Sequence, residues 1–65
     1  MKEFYLKKYG KVVVKEVNNH IRICFTLSNG INTFISFNPS IRNTCEEEIE
    51  NMTSDKLYKI LSCNI

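Results

Sequence analysis

One alternation limits the choice of fold more than anything else in this chain. Residues 20–27, HIRICFTL, put Ile21, Ile23, Phe25 and Leu27 on one side and His20, Arg22, Cys24 and Thr26 on the other. Residues 31–37, INTFISF, alternate too, with Ile31, Thr33, Ile35 and Phe37 against Asn32, Phe34 and Ser36. A period of two marks half-buried strands, and the Ser-Asn-Gly between them marks a turn. The length of that turn decides which sides coincide. A two-residue Asn29-Gly30 loop would set Leu27 opposite Asn32 and split the apolar sets between two faces. A three-residue loop, Ser28-Asn29-Gly30, pairs Leu27 with Ile31, Phe25 with Thr33, Ile23 with Ile35 and Ile21 with Phe37. All the strong apolar positions then share one face, and Gly30 occupies the left-handed third position that such a loop requires. The three-residue loop is the prediction.

Upstream, KVVVKEV at 11–17 is β-branched and reads as a strand, joined to the next through Asn18-Asn19. A loop of Asn18, Asn19 and His20 would set Glu16 opposite Arg22, a favourable cross-strand pair, and Val17 opposite Ile21. A two-residue loop would set Lys15 against Arg22, so the longer loop is preferred. The opening EFYLKKY alternates Phe4 and Leu6 against Tyr5 and Tyr9, a further strand that turns or bends at Gly10. After Phe37, Pro39 ends the sheet because it cannot donate to a ladder. Thr44 with Glu47 forms a capping box, and Cys45, Ile49 and Met52 recur at helical spacing. A fresh start follows at Thr53 or Ser54, with Met52 and Leu57 placed as a hydrophobic staple and Leu57, Ile60 and Leu61 as the apolar stripe.

The expectation is a single α+β domain over residues 1–65. It has a three- to four-stranded antiparallel β-sheet in ββββαα order, with two C-terminal helices packed on one face. A 65-residue chain buries a modest share of its surface, so self-association is a cheap source of added stability.

Composition narrows the setting. Three cysteines without a CxxC, no apolar run of signal-peptide length and no segment able to span a bilayer read as a cytoplasmic, reducing environment with no membrane role. Lys, Asn and Ile supply 23 of the 65 residues, the bias of AT-rich codons, which points to a low-GC bacterium, its phage or a mobile element. The charge is polarised. Residues 1–43 carry a net +5 and residues 44–65 a net −3.

No catalytic, cofactor or metal constellation is expected. His20, the only histidine, and Cys24 share a strand face but stand about 13 Å apart at four residues' spacing, too far for a dyad or a common metal ion. Consecutive glutamates on a helix diverge by roughly 100° each, and two glycines cannot build a phosphate-binding loop. Three surfaces are candidates for binding. Glu46, Glu47 and Glu50 form an acidic helix face suited to a basic partner. If three-residue loops join all the central strands, Val14, Cys24 and Phe34 line up across the outer face of the sheet, as a docking surface or a homo-oligomer interface. Tyr5, Lys7, Lys8, Tyr9, Lys11, Lys15 and Arg22 mix rings with cations, as single-stranded nucleic acid prefers; lysines also guard strand edges against aggregation. The leading expectation is a non-enzymatic protein-binding module, an inhibitor of a host machine carried by a phage or mobile element. Anti-CRISPR inhibitors offer an analogy of size and style only. The alternative is a small nucleic-acid-binding or regulatory protein using the basic strands.

Overall fold

A computed structural model describes residues 1–64, with Asn64 as main chain alone. Its element order is β1 (Lys2–Leu6), β2 (Gly10–Val17), β3 (His20–Thr26), β4 (Asn32–Phe37), α1 (Cys45–Glu50) and α2 (Ser54–Asn64). The strands form one antiparallel sheet in the order β1-β2-β3-β4, and both helices lie on one face, as expected.

The second hairpin takes the predicted register, with Ile21 opposite Phe37, Ile23 opposite Ile35 and Phe25 opposite Thr33. The Leu27 N–H donates to the Ile31 carbonyl at 2.9 Å, the Gly30 N–H donates to the Leu27 carbonyl at 2.9 Å, and Gly30 has φ +87°. The Asn29 side chain stiffens the loop by accepting from the Ile31 N–H at 3.1 Å.

The first hairpin departs from expectation. Asn18 and Asn19 adopt φ +51° and +66°, a two-residue turn with both central residues left-handed. Val17 therefore faces His20, Glu16 faces Ile21, and Lys15 faces Arg22. Relative strengths explain the outcome. The Glu16–Arg22 pair would contribute about 0.2–1 kcal/mol. The longer loop would flip the whole strand, exchanging Val12 and Val14 for Val13 and Val17 beneath the helices and moving Lys11 and Lys15 there with them. Burial of each valine is worth roughly 1.5–3 kcal/mol in either register, so the charge penalty of burying two lysines decides between them. Val12 and Val14 are fully buried in consequence.

The core joins these valines to Ile21, Ile23, Leu57 and Leu61, all completely buried, with Leu6, Phe25, Ile49 and Met52 around them. Tyr9 also turns inward. It lies in the β1–β2 turn, where its N–H donates to the Leu6 carbonyl at 3.2 Å, and its ring meets Phe25 edge-on at 6.0 Å and Tyr58 at 5.9 Å. Strand alternation had set Tyr9 beside Tyr5, but β1 ends at Leu6 and the turn reverses the direction of the side chain.

The helices are fixed at their ends. Thr44 and Glu47 form the reciprocal capping box of α1. Thr53 caps α2, its hydroxyl accepting from the Lys56 N–H at 3.3 Å, while Met52 and Leu57 are both buried at the staple positions. The far end of α1 is closed from across the molecule: Lys2 Nζ donates to the carbonyls of Glu50 at 2.8 Å and Met52 at 3.0 Å. A cation here satisfies orphan carbonyls and meets the negative end of the helix dipole.

Candidate functional site

The helices cover one side of the sheet and leave the other open. Antiparallel pairing carries one row of side chains across the open side: Glu3, Val13, Cys24 and Phe34, one from each strand. Next to that row, Lys15 lies directly opposite Arg22, and Tyr5 opposite Lys11. Tyr5 is 78% exposed and Phe34 51%.

The expected outer stripe is therefore corrected at one position. Val14 sits in the core and pairs with Ile23, and Val13 takes its place between Glu3 and Cys24. Cys24 and Phe34 stand where they were expected. The same change of register brings Lys11 and Lys15 onto this face, which the longer loop would have turned inward.

Arg22 is the focus of the face. Its guanidinium lies over the Phe34 ring at 4.1 Å, a cation–π contact, and its Nε is buried with no hydrogen bond among the described residues. An unpaired buried donor costs about 1–3 kcal/mol. Like charges set directly opposite across two strands are also unfavourable, so Lys15 beside Arg22 adds to that cost. Two half-buried cations on adjacent strands form a local site for an anion, one that a carboxylate or a phosphate would satisfy. Glu3 does not fill this role, since its carboxylate reaches Lys11 Nζ instead, at 3.7 Å and largely in solvent.

The basic segment is divided by the fold. Tyr5, Lys11, Lys15 and Arg22 belong to the open face. Lys7 and Lys8 occupy the β1–β2 turn, and Lys8 Nζ lies over the ring of Tyr9 at 5.6 Å, in a groove shared with Leu27 and Ser62 on the helix side. Tyr9 itself is buried and unable to stack on a base.

The acidic face is divided too. Glu47 is occupied by the cap, its Oε1 accepting from the Thr44 N–H at 3.2 Å and from the Thr44 hydroxyl at 3.1 Å. Glu46 and Glu50 line an open groove with Met1, Lys2, Glu16 and Ile49, where the shorter turn has put Glu16 on the helix side. Glu48, outside the expected trio, accepts from the Ser40 N–H and Asn43 Nδ2 at 3.1 Å each. These bonds, the Asn43 side chain first, hold its carboxyl below the ordinary value of 4.5.

Burial, then the carboxylates of Glu16 and Glu48, push the Cys45 thiol up, and its Sγ donates to the Asn19 carbonyl at 3.3 Å. It is a protonated packing thiol. His20 Nδ1 lies 2.9 Å from the Asn18 carbonyl at the turn. Among the described residues no group of three or more His, Cys, Asp or Glu side chains could hold a metal ion, and no helix is long and apolar enough to cross a membrane. Comparison with family models, with curated proteins and with solved structures finds no match to this chain.

Proposed function

We propose that this chain is a non-enzymatic protein-binding module whose open sheet face is its recognition surface. The observation that carries the reading is the Arg22 cluster: a half-buried Arg22 whose guanidinium stacks on exposed Phe34, set opposite Lys15 on the neighbouring strand. Protein interfaces combine an apolar centre with a polar rim, and their energetic anchors are enriched in aromatic residues and Arg. Val13, Cys24 and Phe34 supply the centre, and Lys11, Lys15 and Arg22 a basic rim. The matching partner surface is apolar at its middle and acidic around it. The AT-rich codon bias extends the proposal to a phage or mobile-element protein that inhibits a host machine by occupying such a surface.

A tagged chain immobilised in a host extract tests this. Arg22→Gln and Phe34→Ala should each weaken capture of a specific partner at least tenfold, while Glu46→Gln with Glu50→Gln should leave it unchanged. Capture that ignores both open-face variants overturns the reading.

A second reading shares the same cations. Tyr5 and Phe34, both exposed beside Lys11, Lys15 and Arg22, would stack on the bases of a single strand while the cations meet phosphates. Binding of a random single-stranded oligonucleotide that weakens steeply with salt would favour it. Tyr5 and Phe34 stand on opposite edge strands, about 14 Å apart at the usual strand spacing, too far for adjacent bases. The protein reading is therefore preferred.

A further inference from the structure

The two edges of the sheet are unlike. β1 carries Lys2 and Glu3, and Lys7 and Lys8 follow it, the charged guard typical of an exposed edge. β4 has none. No charged residue occurs anywhere between Arg22 and Arg42, and no bulge, proline or inward charge interrupts β4 itself. Its side chains are also poorly covered. Ile35 and Phe37 are half-buried where their partners Ile23 and Ile21 are completely buried, and Ile31 and Phe34 stand 58% and 51% exposed.

The direction of the free main-chain groups follows from the turn. The Leu27 N–H to Ile31 carbonyl bond makes that couple a hydrogen-bonded pair. Alternation along an antiparallel ladder then turns the main-chain groups of Thr33, Ile35 and Phe37 toward β3, and those of Asn32, Phe34 and Ser36 toward the open edge.

We propose that β4 pairs with β4 of a second copy of this chain, antiparallel and centred on Phe34, to make one continuous eight-stranded sheet. A two-fold axis through Phe34 sets Phe34 against its own counterpart and Asn32 against the second copy's residue 36. On the helix side it sets Thr33 against residue 35 and Ile31 against residue 37. The interface is isologous, and in it every free N–H and carbonyl of the strand meets a partner. Both exposed apolar side chains, Ile31 and Phe34, gain cover. β4 itself brings no charge to the seam, and the β3 strands that carry the two Arg22 residues stand three strand spacings apart, about 14 Å. A strand edge of this length buries less than the roughly 800 Å² per partner of a standard interface, so the dimer forms with concentration rather than permanently. The inference rests on the main-chain groups of the edge and needs no other protein; Phe34 is the one residue it shares with the open-face reading, and Ser36→Pro tests the edge without it.

Sedimentation of the purified chain, with amide exchange, is the test. The expected result is a monomer on dilution that becomes a dimer at high concentration. The amides of Asn32, Phe34 and Ser36 should gain protection in step with dimer formation, while those of Thr33 and Ile35 are protected throughout. Ser36→Pro removes only an edge-facing N–H, lies at two symmetric positions of the dimer, and should weaken association at least tenfold with the melting transition retained. Phe34→Lys, which places like charges on the two-fold axis, should do the same and carries the test if the proline variant fails to fold. A chain that stays monomeric to millimolar concentration overturns the proposal. So does a dimer indifferent to both variants, or one in which the three edge amides gain no protection, as a face-to-face dimer would show. Partner capture that ignores Arg22→Gln and Phe34→Ala, with dimerisation intact, would instead count against the open-face reading alone.

Discussion

The two faces of this sheet are built from neighbouring residues of the same strands, yet they follow different rules. Ile21, Ile23 and Phe25 lie beneath the helices with Val12 and Val14, well packed and free of charge. One position along the chain, Arg22, Cys24, Val13 and Lys15 lie on the open face, where two cations are juxtaposed and a donor goes unused. The covered face is optimised for the chain itself. The open face tolerates local costs that packing alone does not require, and such costs gather where a surface meets something else.

Substitutions can break this contrast. The largest effect is expected from Ile23→Ala, a fully buried position, at about 3 kcal/mol, against less than about 0.5 kcal/mol for Cys24→Ala next to it. Total stability for a chain this short is roughly 0.05–0.15 kcal/mol per residue, so the first variant should lose a large share of that margin, read as a much lower urea midpoint. Equal midpoints for the two variants would show the faces to be less distinct than described. Next comes Gly30→Ala, at about 1 kcal/mol in the same titration. A Cβ there meets nothing within 4 Å, so the whole effect is backbone strain at φ +87°. Asn19→Gly should raise stability by about 0.5 kcal/mol, because the two-residue turn favours glycine at its second position. If it lowers stability, the turn that brings Lys15 to the open face is misassigned. The smallest effect is in acid. The fold holds Glu48 below 4.5, so its contribution is present above that pH and is lost as the pH falls through the depressed value. Glu48→Gln should lower stability slightly at pH 7 and flatten its fall below pH 4.5, so that the two acid titrations converge at low pH.

The second hairpin was legible because only one loop length unites Ile21, Ile23 and Phe25 with Ile35 and Phe37. The helix starts were legible for a similar reason, since Thr44-Glu47 and Met52–Leu57 are local signatures with little competition. The first hairpin was harder. Three consecutive valines, Val12 to Val14, present an apolar side chain to either face, so alternation carries no information there. The visible Glu16–Arg22 pairing then decided the reading, although the cost of burying Lys11 and Lys15 outweighs a surface ion pair. That error moved the outer stripe from Val13 to Val14 and hid the meeting of Lys15 with Arg22. Tyr9 was misread because the path of a turn is tertiary information. Cys24 and Phe34, set by the legible hairpin, were placed correctly.

The clasp of Lys2 on the carbonyls of Glu50 and Met52 joins positions 48 and 50 residues apart. A helix of only six residues is marginal in isolation. During synthesis α1 therefore gains its last restraint only when the first strand, made earliest, is already docked to receive it. Acylation of that one amine would remove the charge and leave a single N–H for two carbonyls, and should loosen the first strand and α1 together, as a single cooperative event.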